Sequence, residues 1–194
     1  MSRKALFLDR DGTINVETGY PHEFSQIEIY PGSFEAIGAA AAAGFAVIIV
    51  TNQSGVGRGY LEEAALGRLH ARLAEALAAG GAPVEAIYYC PHHEQAGLGR
   101  YKTACDCRKP APGMALRAAR EHDLDLRASY MVGDKVEDIR FGLAAGATPV
   151  LVRTGYGRDS ESRLAGLDIK PAHIADGIRE AVAWILGRER AAGR

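Results

Sequence analysis

The sequence predicts an α/β fold built on a mainly parallel sheet, and three observations lead to it. Short apolar segments alternate along the chain with Ala-rich helical stretches, which is typical of strand–helix–strand units with right-handed crossovers. The apolar segments, such as Phe45–Val50, do not alternate with polar residues, as expected of strands covered on both faces. Glycines such as Gly44, Gly80, Gly81 and Gly146 follow the helical stretches, where helices commonly end.

The elements follow one another in a regular order. The predicted strands are Ala5–Leu8, Phe45–Val50, Val84–Tyr89, Ser129–Val132 and Ala147–Val152. The predicted helices are Phe34–Ala43, Glu62–Ala79, Pro112–His122 and Val136–Ala145, with a closing helix at the helical spacing of Ile174, Ile178, Val182 and Ile185. No repeat, low-complexity tract or linker interrupts this pattern, so we predict a single domain over residues 1–194.

Composition narrows the class of protein. The chain has 194 residues, 47% hydrophobic, and its 23 Lys and Arg oppose 24 Asp and Glu for a net charge of −1. This near-neutral charge and an aromatic content of 7% argue against a nucleic-acid-binding protein. No apolar run approaches the roughly 20 residues of a membrane span, and residues 1–4 do not open a signal peptide. We therefore predict a cytoplasmic protein without a membrane partner, and we expect a monomer.

Polar side chains stand where the predicted strands end. They are Asp9 and Asp11 after the first strand, Thr51 and Asn52 after the second, Cys90 after the third, and Gly133 and Asp134 after the fourth. Ligands of parallel sheets bind at this edge, and Lys109 is predicted to join it from a loop. Crowded carboxylates need a raised pKa or a cation between them, and oxygen ligands suit Mg²⁺. The pattern favours phosphoryl chemistry over metal-free carboxylate catalysis on sugars.

Charge suggests how such a site would work on a phosphate monoester. Mg²⁺ and Lys109 would neutralise the anion, while the Thr51 hydroxyl and backbone N–H groups would hold the phosphoryl oxygens. One aspartate can attack phosphorus to form an aspartyl-phosphate. The other, two residues away, can protonate the leaving oxygen and later deprotonate the attacking water.

All three cysteines fall in one segment, residues 90–107. Cys90 and His92 are separated by one residue, as are Cys105 and Cys107, and 12 residues lie between the two pairs. Three thiolates and one imidazole make the closed tetrahedral ligand set of a structural Zn²⁺. His93 is an alternative ligand, but the matching one-residue spacing favours His92. Such a site would fix the long loop and, through Cys107, the position of the adjacent Arg108 and Lys109.

These residues resemble a known family. Phe7–Asn15, Thr51–Ser54, Arg108–Pro110 and Val132–Asp138 are similar in order and spacing to the successive motifs of haloacid-dehalogenase-like (HAD) phosphatases. The resemblance implies a HAD-like Rossmannoid three-layer sandwich with Asp9 as nucleophile, Asp11 as general acid and base, and Thr51 and Lys109 as phosphoryl stabilisers. It also implies Mg²⁺ held by the Asp9 side chain, the Asp11 backbone carbonyl and Asp134. Two interpretations of Asp138 stay open. In one it orients Lys135 or metal-bound water, and in the other it caps the following helix.

Within that superfamily, residues 7 to about 152 resemble the sugar phosphatases that remove the 7-phosphate of D-glycero-D-manno-heptose 1,7-bisphosphate in nucleotide-activated heptose synthesis for lipopolysaccharide or another surface glycan. That family implies a zinc-bound loop and no large cap domain. The substrate contacts implied are Glu17, Thr18, Gly19, Tyr20, Thr51, Asn52, Gln53, Ser54, Arg108, Lys109 and Lys135. Glu94 departs from the proline usual after the two histidines, and past Thr154 the match weakens.

Alternative functions remain open at this point. Histidinol-phosphate phosphatases share the aspartate motifs and a zinc loop, but their loop is much shorter than the 12-residue spacer here. Another small-molecule phosphomonoesterase is a further alternative. A catalytically idle zinc module that binds a partner would not need the carboxylates, Thr51 and Lys109 together. No motif reports on the anomeric configuration of the substrate.

Overall fold

A computed structural model describes residues 2–192, so the predicted domain bounds extend by Met1, Gly193 and Arg194 beyond the described residues. Six strands form one sheet: β1 (Ala5–Leu8), β2 (Ala46–Asn52), β3 (Ala86–Cys90), β4 (Tyr130–Gly133), β5 (Thr148–Val152) and β6 (His173–Ala175). Every pairing is parallel, in the order β3-β2-β1-β4-β5-β6. The strand order reverses between β1 and β4, where open parallel sheets bind ligands.

Helices connect the strands. They are α1 (Ser33–Ala42), α2 (Ser54–Gly57), α3 (Glu63–Ala79), α4 (Gly113–His122), α5 (Val136–Ala145), α6 (Gly157–Leu164) and α7 (Ile178–Ala192). Short 3₁₀ turns lie at Phe24–Gln26, Gly99–Tyr101 and Leu126–Ala128. No helix within residues 2–192 is long and apolar enough to cross a membrane.

The core lies on both faces of the sheet, which confirms the predicted three-layer arrangement. Alternate residues of β1 divide between the faces: Leu6 and Leu8 pack in a cluster with α1, α3 and α7, whereas Ala5 and Phe7 pack in another with α4 and α5. Burial of one such Leu or Phe side chain contributes about 1.5–3 kcal/mol. The central strands are therefore held firmly, and their carboxyl ends present the site residues from a rigid frame.

The structure differs from the predicted elements near the C-terminus. Ile174 lies in strand β6 and not in the closing helix, which begins only at Ile178 after the Asp176–Gly177 break. Strand β6 has three residues, and helix α6 is predominantly polar, so neither carries the apolar pattern on which the prediction depended. The very short α2 was also not predicted.

Candidate active site

A cavity of about 590 Å³ opens at the carboxyl ends of the central strands. It is lined by Asp9, Asp11, Glu17, Gly19, Tyr20, Thr51, Asn52, Gln53, Ser54, Arg108, Lys109, Pro110, Lys135, Glu137, Asp138 and Tyr156. Among the predicted catalytic and substrate-binding residues, only Thr18 is not in this lining. Asp134 is fully buried and is not in the lining of the cavity.

Lys109 forms ion pairs with two carboxylates, that of Asp9 after β1 and that of Asp138 in α5. Its ammonium donates a 2.8 Å hydrogen bond to Asp9 Oδ1 and a 2.9 Å bond to the carbonyl of Val50, and it lies 2.6 Å from Asp138 Oδ1. Burial acts to lower the pKa of Lys109, but the Asp138 and Asp9 carboxylates outweigh it and raise the pKa above its ordinary value. A permanent positive charge therefore lies beside Asp9 at the floor of the cavity.

Asp134 has the surroundings expected of a cation ligand. Its Oδ2 accepts a hydrogen bond from the backbone N–H of Tyr156 at 2.8 Å, whereas its buried Oδ1 has no hydrogen-bond partner among residues 2–192. Burial, and next the charge of Asp9, raise the pKa of Asp134 to about 8. Carboxylate oxygens of Asp9, Asp134 and Asp138 lie within 4.8 Å of one another. This all-oxygen set with an unpaired buried acceptor fits Mg²⁺.

Gly12 provides the space that Asp134 needs. Its φ is +86°, a conformation that favours glycine, and a Cβ at this position would overlap the Asp134 carboxylate. The Asp-Gly pair of the first motif therefore does more than turn the chain after β1. It allows the aspartate loop to lie directly against the residue that follows β4.

The Asp11 carboxylate is not part of the acidic cluster formed by Asp9, Asp134 and Asp138, and it is held by four N–H donors. Oδ1 accepts from Arg10 Nε at 2.9 Å and Asn15 Nδ2 at 3.0 Å. Oδ2 accepts from Arg10 Nη2 at 2.6 Å and Gln53 Nε2 at 2.9 Å. Burial acts to raise the pKa of Asp11, but the Arg10 charge and these hydrogen bonds lower it overall. The carboxylate is thus ionised and fixed in orientation, and its side chain lies outside the acidic cluster.

Three consecutive residues at the end of β2 organise the floor of the cavity. Thr51 and Asn52 are the last residues of β2 itself, which extends two residues beyond the predicted strand. Asn52 brackets the backbone of Lys109: its Oδ1 accepts from the Lys109 N–H at 3.0 Å, and its Nδ2 donates to the Lys109 carbonyl at 3.1 Å. Gln53 Nε2 lies 3.0 Å from Thr51 Oγ1. The predicted phosphoryl-binding hydroxyl and lysine are therefore positioned by neighbouring amides.

The rim of the cavity carries further positive charge. Lys135 Nζ donates to Glu17 Oε2 at 3.1 Å and lies 5.1 Å from the centre of the Tyr156 ring. Burial opposes charge on Lys135, but Asp9, Asp134 and Glu17 raise its pKa overall. On the side of the cysteine loop, Arg108 Nη1 donates to the carbonyl of His92 at 3.1 Å. Both side chains line the cavity, where they can meet an anionic substrate.

The four predicted zinc ligands come together. Sγ of Cys105 lies 3.6 Å from that of Cys90 and 3.3 Å from that of Cys107, and His92 Nδ1 lies 3.4 Å from Cys107 Sγ. A tetrahedral Zn²⁺ with bonds of about 2.3 Å separates its sulfur ligands by roughly 3.8 Å, so the set has nearly the required dimensions. The His93 ring is directed elsewhere, and its Nδ1 accepts from the backbone N–H of Ala96 at 3.1 Å.

Sequence reasoning left several residues of the site without a role. Asp138 caps α5, because its Oδ2 accepts from the Lys135 N–H at 2.9 Å, and it also pairs with Lys109. The helix-capping interpretation of Asp138 thus has a geometric basis, but its contact with Lys109 was not predicted. Arg10 and its partner His70 were also missed. A histidine within the apolar pattern of α3 was a sequence signal for a buried polar contact. No role was predicted for Pro110 and Glu137, although both lie within the motifs named above, and Tyr156 lies outside all of them.

Comparisons with known proteins identify the family to which the chain is similar. A family model described as HAD-hydrolase-like matches residues 106–181. The chain is 48% identical, over 79% of its length and 83% of the relative, to the D-glycero-beta-D-manno-heptose-1,7-bisphosphate 7-phosphatase of Pasteurella multocida. It is 47% identical to the corresponding alpha-heptose enzyme of Burkholderia mallei, over 78% of this chain and 80% of that one. The D,D-heptose 1,7-bisphosphate phosphatase of B. bronchiseptica, solved with magnesium and phosphate, superposes with a TM-score of 0.83 at 34% identity, covering 95% of this chain and 99% of that one.

Proposed function

Since the chain belongs to the heptose-1,7-bisphosphate 7-phosphatases of the HAD superfamily and is a phosphoric monoester hydrolase, we propose that it removes the 7-phosphate of D-glycero-D-manno-heptose 1,7-bisphosphate through an aspartyl-phosphate on Asp9. The observation that carries this proposal is the Lys109 ammonium 2.8 Å from Asp9 Oδ1, with Thr51 in the same cavity. The reaction would supply nucleotide-activated heptose synthesis in the cytoplasm, and we propose that the enzyme acts as a monomer.

The first step transfers the phosphoryl group to the protein. Lys109 and Thr51 hold the phosphoryl oxygens of the substrate against the end of β2, which places phosphorus beside the Asp9 carboxylate. An Asp9 oxygen forms a bond to phosphorus while the bond from phosphorus to the sugar oxygen breaks. The departing oxygen keeps the electron pair and takes a proton from Asp11, which must first take up that proton from solvent because its carboxylate is ionised in the present structure.

The second step releases phosphate. Asp11, now a carboxylate, takes a proton from a water molecule whose oxygen attacks phosphorus, and the bond from phosphorus to Asp9 breaks. A carboxylate has about four lone-pair positions, and four N–H donors occupy those of Asp11 in the present structure. One donor must therefore leave before a proton is carried. Gln53 lines the cavity and also contacts Thr51. We therefore propose that the Gln53 amide moves from Asp11 to the substrate phosphoryl group when that group binds to the Thr51 hydroxyl.

Two metals complete the proposal. Asp9, Asp134 and the Asp11 backbone carbonyl would hold Mg²⁺, with Asp138 close by, and the bound ion would neutralise negative charge on the phosphoryl group. The cluster of Cys90, His92, Cys105 and Cys107 would hold a structural Zn²⁺. These four protein ligands would fill the tetrahedral coordination of the ion, so it would offer no site for substrate.

The positive rim supports a substrate with two phosphates. Arg108 and Lys135 line the cavity in addition to Lys109, which leaves cationic groups beyond those that hold the reacting phosphoryl group. A second phosphate at the other end of a sugar would gain charge-assisted contacts there. A monophosphate such as histidinol phosphate would bring no second anion to Arg108 and would leave Lys135 paired with Glu17 alone.

The test compares phosphate release, in the presence of Mg²⁺, from the α and β anomers of the heptose bisphosphate, from histidinol phosphate and from a panel of sugar monophosphates. We expect the highest kcat/KM for a heptose bisphosphate. The Asp9→Asn protein, purified in parallel, controls for contaminating phosphatases. A higher kcat/KM for histidinol phosphate or for a sugar monophosphate would overturn the substrate assignment.

A further inference from the structure

Behind Asp11 lies a buried polar contact that the proposed reaction does not use directly. Arg10 is fully buried and donates to both oxygens of the neighbouring Asp11 carboxylate, through Nε at 2.9 Å and Nη2 at 2.6 Å. Its remaining terminal nitrogen, Nη1, lies 3.0 Å from Nε2 of His70. The guanidinium therefore has a carboxylate on one side and an imidazole on the other.

The direction of the contact between Arg10 and His70 follows from their chemistry. A guanidinium has only donors, so Nε2 of His70 must be the unprotonated acceptor. Burial and the Arg10 charge lower the pKa of His70 to about 3, which agrees with a neutral ring. The ring is supported from a second side by Tyr89, whose centroid is 5.6 Å away at an interplanar angle of 61°. His70 is thus a rigid acceptor presented by α3.

Asp11 requires such support because its other two hydrogen-bond donors, Gln53 and Asn15, lie in the cavity lining and in the local loop. Gln53 lines the cavity, and Asn15 shares its amide with the carbonyl of Val16. Among the described residues, Arg10 alone contacts both carboxylate oxygens, and a bidentate contact fixes the plane of the carboxylate as well as its distance. The far end of the Arg10 side chain contacts His70, whose Nε2 lies 3.0 Å from Arg10 Nη1.

We propose that His70 is a positioning residue for the acid–base step, in which it fixes Arg10 and Arg10 fixes the plane of the Asp11 carboxylate. The proposal rests on the proposed function in one respect, namely that Asp11 carries the proton to the leaving oxygen. A general acid contributes about 10²- to 10⁴-fold, and its contribution depends on hydrogen-bond geometry. Loss of the acceptor at residue 70 should therefore weaken the protonation of the leaving group without removing the nucleophile.

Leaving groups of different basicity distinguish this role from general structural support. A sugar alkoxide needs a proton as it leaves, whereas the p-nitrophenolate of p-nitrophenyl phosphate leaves without one. The ratio kcat/KM reports only steps up to phosphoryl transfer, so hydrolysis of the aspartyl-phosphate does not enter. We expect His70→Leu to lower kcat/KM for the best sugar phosphate of the panel about 10- to 100-fold, with p-nitrophenyl phosphate within about threefold of wild type.

Further variants keep the test decisive if His70→Leu does not fold. His70→Gln retains an acceptor of similar reach and should stay within about threefold of wild type for both substrates. His70→Asn is too short to reach Arg10, and Arg10→Lys loses the bidentate contact, so both should show the selective loss. His122→Leu is the matched control, since it removes another helical histidine, one that contacts Tyr88 and lies outside the catalytic cavity.

The outcomes separate this inference from the proposed function. Equal losses on both substrates in the Asn and Lys variants, or no loss on either, would overturn the positioning role. Asp11→Asn is assayed alongside and should show the same selectivity in stronger form. If Asp11→Asn is not selective for the sugar substrate, the acid–base assignment itself fails. If it is selective and the His70 variants are not, only the present inference fails.

Discussion

The ammonium of Lys109 donates a 2.8 Å hydrogen bond to Asp9 Oδ1, although the two residues are 100 positions apart. Asp9 follows β1, and Lys109 follows the cysteine loop that extends from β3. Their contact therefore depends on the loop, whose last cluster member, Cys107, precedes Lys109 by two residues. The cysteine cluster and the candidate nucleophile are coupled through this short stretch of backbone.

Asp9→Asn should abolish turnover with little effect on the fold. Asparagine has nearly the same shape, and Lys109 keeps its ion pair with Asp138, so the buried lysine retains a counter-charge. The amide cannot serve as the nucleophile, and we expect kcat to fall at least about 10⁴-fold. Steady-state assays of the wild type and the variant measure kcat, and the thermal unfolding midpoint of each protein shows whether the fold is intact. Residual activity near that of wild type would remove Asp9 as the nucleophile.

Asp138 variants should separate its two contacts. Asp138→Asn retains an oxygen for the Lys135 N–H but loses the charge facing Lys109, whereas Asp138→Ala loses both. We expect kcat to fall about 10- to 100-fold in each, as for groups that orient an active-site residue. The alanine variant should also be about 1 kcal/mol less stable to urea unfolding than the asparagine variant because it lacks the helix cap. Equal stabilities would contradict the capping role.

The strand ends explain how much of the site could be predicted from the sequence. Asp9, Thr51 and Asp134 follow buried apolar segments, and the geometry of parallel sheets brings such ends together whatever the details of the loops. The grouping of Cys90, His92, Cys105 and Cys107 could be predicted because their spacing is typical of residues that share one metal ion. The helices α2 and α6 could not, because one is four residues long and the other predominantly polar.

Individual side-chain contacts between distant segments could not be predicted from the sequence. The Asp138–Lys109 pair depends on how the first turn of α5 packs against the loop after Cys107. The four donors on Asp11 come from Arg10, Asn15 and Gln53, and only the tertiary fold places the Gln53 amide within reach. Such side-chain geometry is set by packing, which has no periodic signature in the chain.

Zinc removal should impair stability and activity together. We expect about one Zn²⁺ per purified chain, and His92→Ala should lose it, because His92 supplies the only ring nitrogen in the cluster of the described residues. The cysteine loop would then no longer fix Lys109, so kcat and the thermal midpoint should both fall. His93→Ala is the matched control and should retain zinc, since its ring contacts Ala96 instead. A zinc-free wild-type protein that is stable and active would refute the structural role.

The buried imidazole of His70 should make stability depend on pH. Burial, and next the charge of Arg10, lower the pKa of His70 in the folded protein from 6.5 to about 3. Between these values the unfolded chain binds a proton that the folded chain does not, so stability falls as the pH falls. The loss is at most about 1.4 kcal/mol for each pH unit. Urea unfolding at pH 7, 6, 5 and 4 measures it, with His70→Gln as the comparison because glutamine keeps an acceptor for Arg10 and does not titrate. The free energy of unfolding of the wild type minus that of His70→Gln should therefore fall steadily from pH 7 to pH 4. Parallel curves for the two proteins would mean that folding does not lower the pKa of His70, which would contradict its role as a buried acceptor facing the Arg10 charge.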